Sequence, residues 1–348
     1  GVYATVVKVG SGGATGHDDF GQKGMDIYMD MLCADMVLNG VNYGWYSDIA
    51  DLTAPVDYTS NPNYVPWRYY YYLIRGTNNV ITALGDENGE ATNEANRFPL
   101  GQAKAIRAHA YFYLTQLYTA GYDANEKKLP IYDKPTLNNQ PPVNTQDVFA
   151  FMIKDLKDAI NLLEGYSGAK STVNKEIAQG ILAYVLAAKG TSDALTQVVT
   201  LTQDVINSGK YPLTTKEQLT GGFNNLATSS WMWGADITLE NGLDLISWWG
   251  QVDLFTYSYA MAGDPKGMDE GLYAKIKADD ERKNQFEVDE DVIWPFNKFY
   301  APARTVGGQR LIETDYIYMR VDEMYLLNAE AHARLNSDGP AIDRLKEL

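Results

Sequence analysis

Residues 145–165 read TQDVFAFMIKDLKDAINLLEG. Phe149, Met152, Ile153, Leu156, Ile160 and Leu163 fall at i, i+3, i+4, i+7, i+11 and i+14. That is one face of a 3.6-residue period, so the spacing predicts an amphipathic helix over 145–164. Thr145 can cap its start, Asp147 lies at the positive end of the dipole, and Gly165 can end it. Moving outward, a second helix over 175–189 turns Ile177, Ile181, Leu182, Val185 and Leu186 inward. Gly190 and Thr191 form a short turn. Ser192 can cap a third helix carrying Leu195, Val198, Val199, Val205 and Ile206, and Gly209 closes it. Connections this short make neighbouring helices antiparallel.

The same pattern recurs toward both ends. Segments 67–84 and 97–119 read as a helix pair joined by a polar loop of Gly, Asn and Glu. Segment 318–335 reads as a further helix with Met324, Leu327, Ala331 and Leu335 on one side, and Pro340 suits the first turn of another. That last helix reaches Leu348 with no stop signal, so the chain reads as cut short. Helix pairs of about 34 to 45 residues, each with one apolar face, are similar to tetratricopeptide repeats, although the spacing is too irregular for a regular solenoid. The expected fold is mainly α: degenerate tetratricopeptide-like helix pairs with a long loop-rich, partly β irregular region, its short strands confined to 213–315. One domain over 1–348 is expected. Within it 66–210 and 318–348 form the helical scaffold, and 40–65 and 211–315 the irregular, ligand-facing regions.

Of the 348 residues, 29 are Lys or Arg and 45 Asp or Glu, a formal charge of −16. This opposes nucleic acid, which is bound mainly through cations on phosphates, and anionic membrane surfaces. No run of 18 apolar residues is present to span a bilayer, and residues 1–10 lack the pattern of a signal peptide. Cys33 is the sole cysteine, which excludes an internal disulfide and a cysteine-rich zinc site; on its apolar stretch it reads as a buried thiol.

Other motifs carry no chemistry. Gly10, Gly12, Gly13 and Gly16 imitate a nucleotide loop, but Asp18, Asp19, Gly21 and Gly24 follow where a Rossmann turn needs a helix. His17, His109 and His332 form no H-E-x-x-H pair, and His109, with Tyr113 at i+4, reads as structural. Residues 86–90 lack the oxygen ladder of a calcium loop and read as a solvated turn. Asp322 and Glu323 point in different directions, and Glu323 and Glu330 read as helix–helix hydrogen-bonding groups. No catalytic set, metal site or cofactor is expected.

Tyr outnumbers Phe by 25 to 10, and there are seven Trp. A sugar ring has an apolar C–H face and a rim of hydroxyls, so its site calls for an aromatic platform beside Asp, Asn or Gln. Trp45, Tyr46, Asp48, Asp51, Tyr58, Asn63 and Tyr64 supply both kinds within one loop, and Trp248, Trp249, Gln251 and Asp253 a second set. These eleven are the candidate ligand residues. Trp67 opens a helix and is assigned to packing. Trp231 and Trp233, at i and i+2, share one face of a strand, either buried or available.

The stretch GQAKAIRAHAYF (101–112) resembles the helix signature of SusD/RagB-like proteins, surface lipoproteins that capture nutrients, mostly glycans, for a TonB-dependent outer-membrane transporter. LPI (129–131), VNK (173–175), VINSGKY (205–211) and MRVDEMYLLNAEA (319–331) resemble further family segments in the family's order. The resemblance implies a helical scaffold whose irregular portion binds ligand. It also implies a non-catalytic glycan-binding role at the cell surface and the transporter as partner. The family's mature chain begins with a lipidated Cys and continues past the final helix pair. No Cys stands near Gly1, so membrane contact is expected only through a lipid absent from this sequence. The rival expectations are a helical-repeat protein that binds another protein, and a secreted glycoside hydrolase.

Overall fold

The computed structural model describes residues 1–289 and 292–348. Its longer helices are α1 (Gln22–Leu32), α2 (Asn61–Leu84), α3 (Glu94–Tyr118), α4 (Thr145–Leu162), α5 (Lys175–Lys189), α6 (Ser192–Asn207), α7 (Val321–Arg334) and α8 (Asp338–Leu345). From α2 to α6 each packs on the next in chain order; α7 then returns onto α6 and α5, and α8 closes on α7. These are degenerate tetratricopeptide-like pairs, and the fold is mainly α. None of the described helices is long and apolar enough to cross a membrane.

Short side chains explain the close approach. A Cβ on Gly101 of α3 would stand 2.9 Å from the Leu162 side chain of α4, so only glycine fits at that crossing without a shift. Ala105 and Ala108 continue the same face, Ala103 and Ala110 lie on the opposite one, and the middle of α3 is buried all round. Burial pushes the His109 imidazole down to about 4, which leaves it neutral between Tyr113 and Trp233.

One buried ion ties these helices together. Arg107 of α3 donates from Nε and Nη2 to the two Asp155 oxygens of α4, each at 2.7 Å. Its Nη1 donates to Asn78 Oδ1 of α2 at 2.8 Å and to the Asp133 carbonyl at 2.9 Å. Lys104, one turn earlier, reaches Asp158 at 2.7 Å and the Gly89 carbonyl at 2.8 Å. Arg97 donates to the carbonyls of Leu162 and Glu164, which close the C-terminal end of α4.

The long irregular segments fold around a second apolar core that includes Phe20, Ile27, Tyr46, Ile49, Trp248, Trp249 and Tyr316. Three antiparallel pairs of short strands occur: β1 (Val37–Leu38) with β3 (Lys266–Gly267), β2 (Trp231–Ala235) with β6 (Tyr316–Arg320), and β4 (Glu287–Asp289) with β5 (Val292–Trp294). Such scant ladders leave most loop N–H groups without a sheet partner. Buried carboxylates, with half-buried Asp315, serve instead. Asp19 accepts from the N–H groups of Gly12 and Ala14, Asp253 from Phe255, Thr256 and Ala301, Asp264 from Asn42, Tyr43 and Gly44, and Asp315 from Leu226 and Ile237.

Several expectations are corrected. Strands are not confined to 213–315, because β1 precedes that region and β6 follows it. Helix α2 starts at Asn61 rather than at 67, so Asn63 and Tyr64 are helical; Pro62 stands in its first turn, where a missing N–H costs nothing. Residues 318–320 extend a strand, and helix begins at Val321. Thr191 rather than Ser192 caps α6, through its side chain to the Ala194 N–H. Cys33 is exposed, since it lies just beyond the end of α1. Trp231 and Trp233 are both buried.

Removing one partner of a buried ion pair strands the other charge, at a cost of about 3–5 kcal/mol. Asp155→Asn should therefore lower the urea midpoint sharply, while Arg97→Gln, a half-exposed cap, should shift it by less than about half as much. Equal, small shifts would place the scaffold's stability elsewhere.

Candidate functional site

The candidate site is built from three backbone segments held by buried polar groups. Asp264 fixes 42–44 from below: its carboxylate accepts the Tyr43 N–H at 2.8 Å and the Gly44 N–H at 3.1 Å, with Asn42 as a third donor. Lys266, buried beside it, donates to Gln251 Oε1 at 2.6 Å and to the Asp264 carbonyl at 3.2 Å. Gln251 in turn donates to the His17 carbonyl at 3.0 Å. Tyr46 sits at φ 68°, a left-handed conformation unusual for a bulky side chain. Its ring is sunk in the second core, and its hydroxyl lies 3.2 Å and 3.3 Å from the carbonyls of Asp18 and Gly24.

This frame displays an aromatic cluster. The His17 ring stacks on Trp45 with centroids 4.9 Å apart and planes 12° from parallel. Tyr259 meets Trp45 edge-on at 6.2 Å, its hydroxyl hydrogen-bonded to His17 Nδ1, and Tyr43 meets Tyr259 edge-on at 5.3 Å. Trp45 is half-exposed and Tyr43 is 60 % exposed. Beside the cluster lies an open cavity of about 640 Å³ walled by Trp45, Tyr64, Asp18, Asp48, Ser47 and Asn61. Burial, with Asp19 and Asp48 nearby, pushes the Asp18 carboxyl up to about 6. An aromatic face, two carboxylates, a hydroxyl and an amide fit a neutral polyhydroxylated ring. A wider groove of about 1330 Å³ along 301–315 has no aromatic side chain among its described lining residues. No three His, Cys, Asp or Glu among the described residues converge as metal ligands.

No protein-family profile and no curated protein matches the chain. Solved structures do. A SusD-like carbohydrate binding protein from Bacteroides vulgatus superposes with a TM-score of 0.79 at 24% identity, covering 99% of this chain and 72% of that one. The surface glycan-binding protein A of Bacteroides uniformis gives 0.70 at 16%, covering 99% and 78%. A further chain, solved with xylogluco-oligosaccharide, gives 0.67 at 18%, covering 99% and 73%. The chain has the SusD-like fold.

On this SusD-like fold the eleven candidate residues part company. Trp45, Asp48 and Tyr64 share the cavity wall, and Tyr46 borders it while being only 2 % exposed. Asp51 turns back on Thr53, Asn63 closes its own loop on the carbonyls of Ala54 and Asp57, and Tyr58, 92 % exposed, lies outside the cavity wall. Trp248, Trp249, Gln251 and Asp253 are buried and so cannot present a face to ligand. Trp248 stacks beneath the Lys23 ammonium, Trp249 donates to the Thr314 carbonyl, and Gln251 and Asp253 hold loop backbone. His17, Asp18, Tyr43 and Tyr259 were not among the candidates. Tyr43 and Tyr259 carried one signal, the density of Tyr and Trp in two loops, and His17 and Asp18 carried none; nothing in one dimension joins 17 to 259.

Burial pushes the Lys266 ammonium down from 10.5 to about 7. Between those values the unfolded chain binds a proton that the folded chain does not, so stability rises with pH across the window, by at most about 1.4 kcal/mol per pH unit. Urea unfolding between pH 7 and 9 should show this rise in the native chain and a flatter curve in Lys266→Met. Parallel curves would mean that Lys266 stays charged in its buried site.

Proposed function

We propose that this chain belongs to the SusD/RagB-like family and is a non-catalytic glycan-binding subunit, which holds an oligosaccharide or polysaccharide at the cell surface for a TonB-dependent outer-membrane transporter. The observation that carries the reading is the aromatic cluster of half-exposed Trp45 and exposed Tyr43, joined through buried Tyr259, beside a cavity edged by Asp18 and Asp48. Stacking takes the apolar face of a sugar, and the carboxylates accept from its hydroxyls. Support comes also from relatives in fold whose own names include carbohydrate and glycan binding. On this reading the chain is a lipoprotein of the outer membrane, with the transporter seated against the same subunit.

One observation favours a second reading, glycoside hydrolysis. Asp18 is held protonated to higher pH than an ordinary carboxyl, and Asp48 shares its cavity, as an acid and its partner would. Turnover separates the two. Retention of a bound polysaccharide intact over hours supports the binding subunit; products that vanish in Asp18→Asn support the hydrolase.

Binding should be screened on purified polysaccharides by affinity electrophoresis. Trp45→Ala should weaken the retained glycan at least tenfold with little change in Tm. Trp249→Ala should lower Tm by several degrees, as loss of a fully buried ring costs about 3–5 kcal/mol. Normal binding by a Trp45→Ala protein that melts early would make Trp45 a packing residue.

A further inference from the structure

The helix that walls the Trp45 cavity also lines a second, smaller cleft. Tyr64 of α2 belongs to the first; Trp67 and Tyr71, three and seven residues on, belong to the second, about 4.5 and 10.5 Å further along the axis. The Trp67 and Tyr71 rings lie 4.8 Å apart, and Tyr132 meets Tyr71 edge-on at 5.6 Å, so three half-buried rings form the wall. Polar groups among them are already used. The Tyr71 hydroxyl donates to the Pro130 carbonyl at 3.0 Å, and Asn78 donates to the Tyr132 carbonyl at 2.9 Å while accepting from Arg107.

The rim is different. Arg75 and Lys134 line the cleft, both are exposed, and among the described residues neither makes a salt bridge or a side-chain hydrogen bond. At about 210 Å³ the cleft is smaller than the ~300–1,000 Å³ of pockets for drug-sized ligands, so it takes one ring rather than a chain. An aromatic wall with two free cations at its mouth matches a ring that has an apolar face and an anionic edge.

We propose that this cleft is a separate binding site for a single carboxylate-bearing pyranose, a uronate residue, with its C–H face on Trp67 and Tyr71 and its carboxylate between Arg75 and Lys134. It takes from the glycan reading only the choice of a sugar as the ring. A chain entering the Trp45 cavity along α2 would reach it within a few residues, which would make the protein selective for acidic glycans.

The test is a ligand-observed NMR titration of the full chain with D-glucuronate and, as its neutral counterpart, methyl β-D-glucopyranoside. Glucuronate should bind saturably and at least tenfold more tightly than the glucoside. Binding should fall at least fivefold in the Arg75→Gln/Lys134→Gln double variant, whose exposed side chains hold no structure, and should persist in Trp45→Ala. Equal binding of the two sugars, no glucuronate binding, or an unaffected double variant would overturn the proposal. So would loss in Trp45→Ala alone, which would assign the acid sugar to the larger cavity. Failure of every polysaccharide in the electrophoretic screen, with glucuronate still bound through Arg75 and Lys134, would sink the glycan-subunit reading and leave this site standing.

Discussion

Arg107 fixes the frame on which everything else is mounted. Its guanidinium is buried, and its three partner residues lie in three different parts of the chain: Asp155 in α4, Asn78 in α2, and Asp133 in the extended segment after α3. Burying such a pair is costly in desolvation and adds little or nothing to net stability relative to an apolar substitute. What it does supply is direction. A planar fork with fixed N–H vectors admits one arrangement of α2, α3 and α4, whereas alanine and leucine surfaces alone tolerate sliding. Because α2 lines both cavities, the position of its aromatic side chains is set by this ion.

The irregular half solves a different problem. Long loops contain backbone donors that cannot be left buried without a partner, and the paired strands here are only two to five residues long. Asp19, Asp253, Asp264 and Asp315 meet that need, each gathering two or three N–H groups. Burial pushes the carboxyls of Asp19, Asp253 and Asp315 up, while the N–H groups they accept from pull them down. The glycine-rich segment 10–16, whose pattern suggests phosphate, thus binds an anion after all, one carried by the chain itself in Asp19.

The helical half was legible in the sequence because its information is local. The period from Phe149 to Leu163, the αL position at Gly190 and the short 190–191 turn act over a few residues, and the boundaries of α5 follow directly. Glu323 reads as a helix–helix group and does bond Tyr184 across α7 and α5. The candidate site was legible only in part, since its geometry depends on contacts between distant segments. Trp45 and Trp248 look alike in composition; one is half-exposed beside His17, 28 positions away, and the other sits beneath Lys23, 225 positions away, a contact that no local pattern announces. Gln251 and Asp253 carry the polarity of a sugar site yet spend it on backbone, because a buried loop consumes such groups first.

The carboxylate that holds 42–44 recognises main-chain N–H groups and is indifferent to the side chains they carry. Any residue except proline can stand at 43 without undoing the loop. Loop shape and surface chemistry are therefore written in different residues. The exposed ring at 43 is free to change while the Asp264 anchor and the Arg107 frame hold the backbone, so one architecture can carry different surfaces through point changes at the loop tip.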